Sequence, residues 1–136
     1  MSNLIYKEEA YKIIGKCFEV HNSLGPGFLE IVYKDALEYE FKKAGIPFER
    51  EKKYEVHYKD LILPHKFYAD FVVYDKIIFE VKAVSYLVDE FTARCINYLK
   101  VSNNKLALLV NFGDSSLIHK RIVLEEKLKE LSNKLI

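Results

Sequence analysis

Residues 70–82 read DFVVYDKIIFEVK, and this stretch contains the pattern that decides the fold of the chain. Asp70 precedes the triplet Glu80-Val81-Lys82 by ten residues. The residues between them are mostly apolar and of the types enriched in strands. Charges inside apolar strands are costly unless a partner compensates them, and a metal ion is one such partner. The stretch therefore predicts a β-hairpin that carries a metal-dependent active site.

The length of the hairpin loop decides whether the two acids meet. Side chains alternate along a strand, so Glu80 and Lys82 share one face of the sheet. A three-residue loop at residues 74–76 places Asp70 opposite Glu80, whereas a two-residue loop places Asp70 opposite Val81 and separates the acids. The metal hypothesis therefore requires a loop of odd length or a bulge.

Two readings of this acid and lysine cluster stay open from residue types alone. Directly opposed carboxylates repel each other, and a hard divalent cation such as Mg²⁺ reverses that sign. Lys82 would then orient the attacking water or stabilise charge that develops on a phosphate. In the other reading, Asp70, Glu80 and Lys82 form a cross-strand charge network on a solvated sheet face, with the lysine as counter-ion.

The remaining sequence predicts helices on both sides of a mixed sheet, and so an α/β (α+β) fold. A three-strand meander is followed by a crossover helix into a continuous apolar strand, which favours a central mixed sheet. Helices are predicted at residues 5–22, 29–44, 89–101 and 125–134, and strands at residues 48–58, 65–74, 76–84, 106–110 and 121–124.

Length and composition predict one folded domain over residues 1–136. Half of the residues are hydrophobic and 14% are aromatic, which is enough to form a core. The formal net charge is only +1, so the chain as a whole lacks a strongly basic footprint for nucleic acid, and any anion binding must come from a local cluster. No apolar run reaches the length of a membrane span, and we expect no membrane partner.

The two cysteines predict a reducing compartment. Cys17 and Cys95 lie far apart in helical contexts, and no signal peptide is recognisable. We expect them to be reduced and buried, and the protein to be cytoplasmic.

Several motifs together resemble one known family. Asp70 followed by Glu80-Val81-Lys82 resembles the PD-(D/E)xK nuclease superfamily, whose fold is that of restriction endonucleases. The segment Gly27-Phe28-Leu29-Glu30-Ile31-Val32-Tyr33 is similar to the naming motif of the GxxExxY proteins within it. The stretches Leu24-Gly25-Pro26-Gly27, Tyr98-Leu99-Lys100 and Leu108-Leu109-Val110-Asn111-Phe112 also match in type, so the likeness covers residues 5–125.

The resemblance implies roles for particular residues. Asp70 and Glu80 would be ligands of Mg²⁺ or Mn²⁺, with the backbone carbonyl of Val81 as a third. Lys82 would be the catalytic lysine. Glu30 would project from the second helix as a metal or water ligand, and it counts among the catalytic candidates. Tyr33, on the same side of that helix, is expected to serve packing.

One position departs from the family pattern. Where the family usually carries Gln, four residues before the tyrosine of Tyr98-Leu99-Lys100, this chain has Arg94. We expect Arg94, Tyr98 and Lys100 to contact substrate. Arg94 can replace the glutamine there because a guanidinium binds phosphate more strongly than an amide does. The alternative is an ion pair from Arg94 to Glu80 or Asp70 in place of the metal.

Two classes of function follow. The first is a Mg²⁺- or Mn²⁺-dependent nuclease, with DNA favoured as substrate although no residue separates DNA from RNA. The second is a non-catalytic module that binds nucleic acid or protein and retains the nuclease fold. In the first class, a chain of one domain is expected to need a homodimer or a partner protein to engage a duplex.

Overall fold

A computed structural model describes residues 4–124 as a five-stranded mixed sheet flanked by helices. The strands lie in the order β1-β2-β3-β4-β5, and only β3 and β4 are parallel neighbours. This arrangement confirms the predicted meander and the helical crossover that follows it. The elements are α1 (Lys7–Leu24), α2 (Glu30–Ala44), β1 (Phe48–Tyr58), β2 (Leu61–Val73), β3 (Ile77–Lys82), α3 (Asp89–Ser102), β4 (Leu106–Asn111) and β5 (Ile118–Val123).

The first two helices end where glycine permits a left-handed or otherwise unusual backbone. Gly25 follows α1 with φ 69°, and Gly45 follows α2 with φ 70°. After α2, the N–H groups of Gly45 and Ile46 donate to the carbonyls of Lys42 and Phe41, which would otherwise lack helical partners. The two glycines therefore fix where α1 and α2 end.

The sheet separates two hydrophobic cores. Alternation along β3 sends Phe79 and Val81 to the face covered by α1 and α2, and Ile78 to the face covered by α3. Strand β4 is buried along its whole length, as its apolar run predicted. The α1–α2 core also contains Ile13, Cys17, Tyr33, Leu37, Phe41 and Phe71, and the α3 core contains Cys95, Tyr98, Leu99, Ala107 and Leu109.

Two strands begin earlier than predicted. Strand β2 begins at Leu61 rather than at residue 65, because the stretch around Pro64 still pairs with β1 across an irregular register. Proline is tolerated there since a bulge requires no ladder hydrogen bond from it. Strand β5 begins at Ile118 rather than at residue 121, because it pairs with β4 as far as Asn111.

The predicted closing helix at residues 125–134 lies outside the described residues. Among residues 4–124, no helix combines the length and the apolar character that crossing a membrane requires.

Candidate functional site at the divergence of two strands

The β2–β3 hairpin has the three-residue loop that the metal hypothesis required. Val73 pairs with Ile77, and the ladder continues to the pair Phe71 and Phe79. Tyr74 and Asp75 make the turn with positive φ values of 55° and 58°. The register predicted for the hairpin is therefore confirmed, and it places Asp70 across from Glu80.

The two acids replace the backbone ladder where the paired strands end. The N–H of Asp70 donates to Oε2 of Glu80 at 2.7 Å, and the N–H of Val81 donates to Oδ2 of Asp70 at 2.9 Å. We call Asp70 and Glu80 the acidic pair. Each carboxylate satisfies a backbone donor that the diverging strands would otherwise leave unpaired, so the pair is held in place by the main chain.

Glu80 is the buried member of the acidic pair. Only 4% of its surface is exposed, and it shares the face of β3 with Ile78, which packs in the α3 core. Burial, followed by the nearby negative charge of Asp70, raises the pKa of Glu80 to about 8. A cation next to Glu80 would therefore favour the charged form that burial and Asp70 disfavour.

Lys34 on α2 also contacts the acidic pair, and sequence reasoning missed it. Its Nζ lies 3.1 Å from Oδ1 of Asp70 and 2.8 Å from Oε1 of Glu51 on β1. Burial alone would lower the pKa of Lys34, but the two carboxylates outweigh it and the net pKa is raised. The available signal was spacing, since Lys34 follows Glu30 by one helical turn and shares its side of α2.

The sheet is distorted at the position of Asp70. In a regular strand Ala69 and Phe71 would share a face, yet Ala69 packs in the α3 core and Phe71 in the α1–α2 core. Opposite Asp70 on β1, Glu51 has φ 54°, a left-handed conformation that is costly for a residue with a Cβ atom. The face change and this local strain coincide with the candidate site.

Lys82 stands at the end of β3, between two helices. Its Nζ lies 3.9 Å from Oε1 of Glu30 and 4.6 Å from the ring centre of Phe91 on α3. The side chain of Lys82 is 16% exposed. Glu30 therefore lies next to Lys82, and its predicted place among the metal or water ligands stays a prediction.

Asn111 holds the chain that follows Lys82. Its Oδ1 accepts from the N–H groups of Val84 and Gly113, both at 3.0 Å, and its Nδ2 donates to the carbonyl of Val84 at 2.9 Å. Gly113 fits here because a Cβ atom would lie 2.3 Å from the carbonyl oxygen of Val84. Asn111 is therefore a structural clamp beside Lys82.

The three predicted substrate contacts fall into different environments. Arg94 is exposed. Its hydrogen bond with Tyr98 is the main cause that raises the pKa of its guanidinium, and the negative charges of Glu80 and Asp70 contribute less. Within residues 4–124 it forms no ion pair with either acid. Tyr98 is buried and donates to the carbonyl of Tyr68 at 2.9 Å. Lys100 is exposed and lines a cleft with Glu55, His57 and Asn97, away from the acidic pair.

Tyr33 serves packing, as expected. Its ring stacks on Phe112 with centres 4.8 Å apart, and its hydroxyl donates to the carbonyl of Gly25 and accepts from the N–H of Phe28. Gly27 has φ 113°, a conformation that favours glycine. The hydrogen bonds of Tyr33 to Gly25 and Phe28 therefore hold the loop that leads to Glu30.

The donors at the acidic pair fit a hard divalent cation. Two carboxylates completed by waters and a phosphate oxygen suit Mg²⁺, whose sites rarely consist of protein ligands alone. Oε1 of Glu80 accepts no hydrogen bond from residues 4–124, so one oxygen remains for an ion. No three His, Cys, Asp or Glu side chains are gathered for metal binding in the same range. The protein therefore offers two acids and, next to them, the carbonyl of Val81.

Comparison with known proteins agrees with the fold. The chain belongs to the PD-(D/E)XK nuclease superfamily, which it matches over residues 7–125. Members of this superfamily generally use divalent metal ions. No curated protein matches the sequence.

A solved structure shows the same fold. The crystal structure of SSO0001 is similar with a TM-score of 0.58 and 17% sequence identity. The similarity covers 94% of this chain and 65% of SSO0001, so the chain spans slightly less than two thirds of that protein. At this identity the likeness shows the fold alone.

Proposed function

We propose that this protein is a nuclease that hydrolyses phosphodiester bonds of nucleic acid with Mg²⁺ or Mn²⁺, and that it is a GxxExxY protein. The observation that carries the proposal is the acidic pair. A buried Glu80 with a raised pKa lies beside Asp70 where two strands diverge, with Lys82 on the same strand. In this arrangement the charged form of Glu80 is unfavourable, and a divalent cation bound beside it would make that form favourable.

Each residue has a role in the proposed reaction. Asp70, Glu80 and the carbonyl of Val81 would hold the ion, which when bound polarises the phosphate and lowers the pKa of a water. Lys82 holds the attacking water or the phosphate oxygen by its ammonium. Water adds to phosphorus, the ester oxygen leaves with a proton, and the products are a phosphate monoester and a free hydroxyl.

Glu30 acts through Lys82 in this proposal. Its carboxylate lies close enough to steer the ammonium, while 41% of its side chain remains exposed. A place for Glu30 among the metal or water ligands stays a prediction. Arg94 would contact the phosphate backbone of the substrate. Its guanidinium is exposed and interacts electrostatically with both members of the acidic pair.

The proposed substrate is DNA rather than RNA, bound by a single domain over residues 1–136 that acts as a homodimer or with a partner protein. Support for such an interface comes from the sheet edge. Strand β1 is terminal in the strand order, and Tyr58, Leu61 and Ile62 at the tip of its hairpin are more than half exposed.

The buried thiols of Cys17 and Cys95, whose pKa values burial raises, fit the proposed cytoplasmic location.

A paired binding and cleavage experiment tests the function. Mn²⁺ is titrated calorimetrically into wild type and Glu80→Gln, and the same samples are incubated with single- and double-stranded DNA and RNA. Glu90→Gln is the matched control, since Glu90 is an exposed carboxylate on α3. Loss of both binding and cleavage in Glu80→Gln alone would support a metal nuclease.

A non-catalytic binding module is the second candidate, and one contact favours it. The ammonium of Lys34 already neutralises Asp70, so the acidic pair has a protein cation beside it. This candidate predicts that wild type binds nucleic acid or protein without Mn²⁺ uptake and without cleavage. Metal binding by wild type, abolished in Glu80→Gln, would reject it.

A further inference from the structure

The positive charge of Lys34 lies where it would repel a metal ion that approaches Asp70. Its Nζ reaches Oδ1 of Asp70, while Oδ2 of the same carboxylate accepts from the N–H of Val81. Both oxygens of Asp70 therefore have a protein partner. An ion that binds Asp70 must share Oδ1 with the ammonium or displace it.

The contact is built into the fold rather than made by a mobile surface chain. The side chain of Lys34 is 14% exposed, and that of Asp70 is 16% exposed. Glu51 on β1, whose own backbone has φ 54°, pairs with the same ammonium. Because both partners of the Lys34–Asp70 pair are largely buried, this pair is screened less than one at the surface.

We propose that Lys34 is a resident counter-ion of the metal site, which sets the affinity of Asp70 for the divalent ion. Glu51 holds the ammonium when the ion displaces it, so the lysine moves between two carboxylates without losing a partner. This inference rests on the proposed function, because it assumes that the acidic pair binds a metal. It assigns Lys34 and Glu51 a role in tuning occupancy, and neither is a ligand.

The charges make opposite predictions for the two residues. Lys34→Met removes a positive charge near the ion, and we expect Mn²⁺ to bind about tenfold more tightly, the effect of a unit charge about 6 Å from a divalent ion in a water-like dielectric. Glu51→Gln leaves Asp70 as the remaining carboxylate partner of the ammonium, and Mn²⁺ should bind several-fold more weakly. Lys42→Met is the matched control, since Lys42 is an exposed lysine on the same helix.

Calorimetric titration of Mn²⁺ into the four proteins tests the inference without reference to cleavage. Tighter binding in Lys34→Met, weaker binding in Glu51→Gln and no change in Lys42→Met would support it. Weaker binding in Lys34→Met would overturn it, because the lysine would then orient Asp70 for the metal. Equal binding in all four would also overturn it while leaving the proposed function intact. Absence of binding in wild type and Lys34→Met would overturn both.

If Lys34→Met does not fold, Glu51→Gln still decides the matter. Circular dichroism and thermal unfolding of each variant establish folding before the titration. A folded Glu51→Gln that binds Mn²⁺ as tightly as wild type would reject the counter-ion role by itself.

Discussion

Asp70 and Glu80 each accept a backbone N–H from the opposite strand where β2 and β3 diverge. Glu80 accepts from the N–H of Asp70, and Asp70 accepts from the N–H of Val81. Hydrogen bonds to a carboxylate are stronger than those between neutral groups, so these two bonds hold the acidic side chains in place. Side-chain acceptors thus replace the backbone ladder beyond the pair Phe71 and Phe79.

The metal-free protein should lose stability as the pH rises. Because the pKa of Glu80 is about 8 in the folded chain and 4.5 ordinarily, the folded state binds more protons between these values. The free energy of unfolding then falls with increasing pH, by a few kcal/mol between about pH 5 and pH 8. Urea unfolding of wild type across this range measures the loss.

Glu80→Gln separates this effect from other titrations. The amide carries no proton that titrates in this range, so the variant should show a clearly smaller loss than wild type. Parallel curves for the two proteins would contradict the raised pKa of Glu80.

Replacement of Lys82 should remove activity while leaving the fold. Its ammonium lies beside Glu30 and over Phe91, and methionine preserves much of the side-chain volume. We expect Lys82→Met to lower the rate of cleavage about 10²- to 10⁴-fold while Mn²⁺ binding is retained. Lys105→Met, an exposed lysine, serves as control. Cleavage at the wild-type rate in Lys82→Met would exclude a catalytic role.

Asn111→Ala should destabilise the fold. The substitution leaves the N–H and carbonyl of Val84 and the N–H of Gly113 without their partner near the buried end of β4. We expect a loss of about 2–4 kcal/mol in the free energy of unfolding, measured with urea. Asn97→Ala, at an exposed position on α3, should change it by less than about 0.5 kcal/mol. Similar losses in both variants would contradict the clamp.

Tyr33→Phe should affect stability and leave metal binding unchanged. The ring keeps its stacking on Phe112, but the carbonyl of Gly25 and the N–H of Phe28 lose the hydroxyl. A loss of about 1–2 kcal/mol is expected from thermal or urea unfolding. If calorimetry instead shows weakened Mn²⁺ binding, Tyr33 contributes to the site and its assignment to packing is wrong.

The hairpin was predictable because its information is local. The spacing from Asp70 to Glu80 and the turn at residues 74–76 set the register within a short stretch of chain. Alternation then places Glu80 and Lys82 together. The glycine stops of α1 and α2 are local for the same reason.

The partners of the site residues were not predictable because they come from distant elements. Lys34 meets Asp70 across 36 residues, and only the packing of α2 on the sheet brings them together. Glu51 belongs to a mixed-charge stretch whose pattern does not show a left-handed backbone. Nor does the sequence show that Arg94 turns to Tyr98 rather than pairing with the acids.

The sequence by itself determined the order of elements, the register of the hairpin and the shared face of Glu80 and Lys82, since strand periodicity and turn length act between near neighbours. Tertiary structure alone decided that Glu80 is buried, that Lys34 neutralises Asp70 and that Glu30 reaches Lys82. Burial and Coulomb interaction depend on distances between atoms of different elements, and those distances exist only after the helices have packed on the sheet.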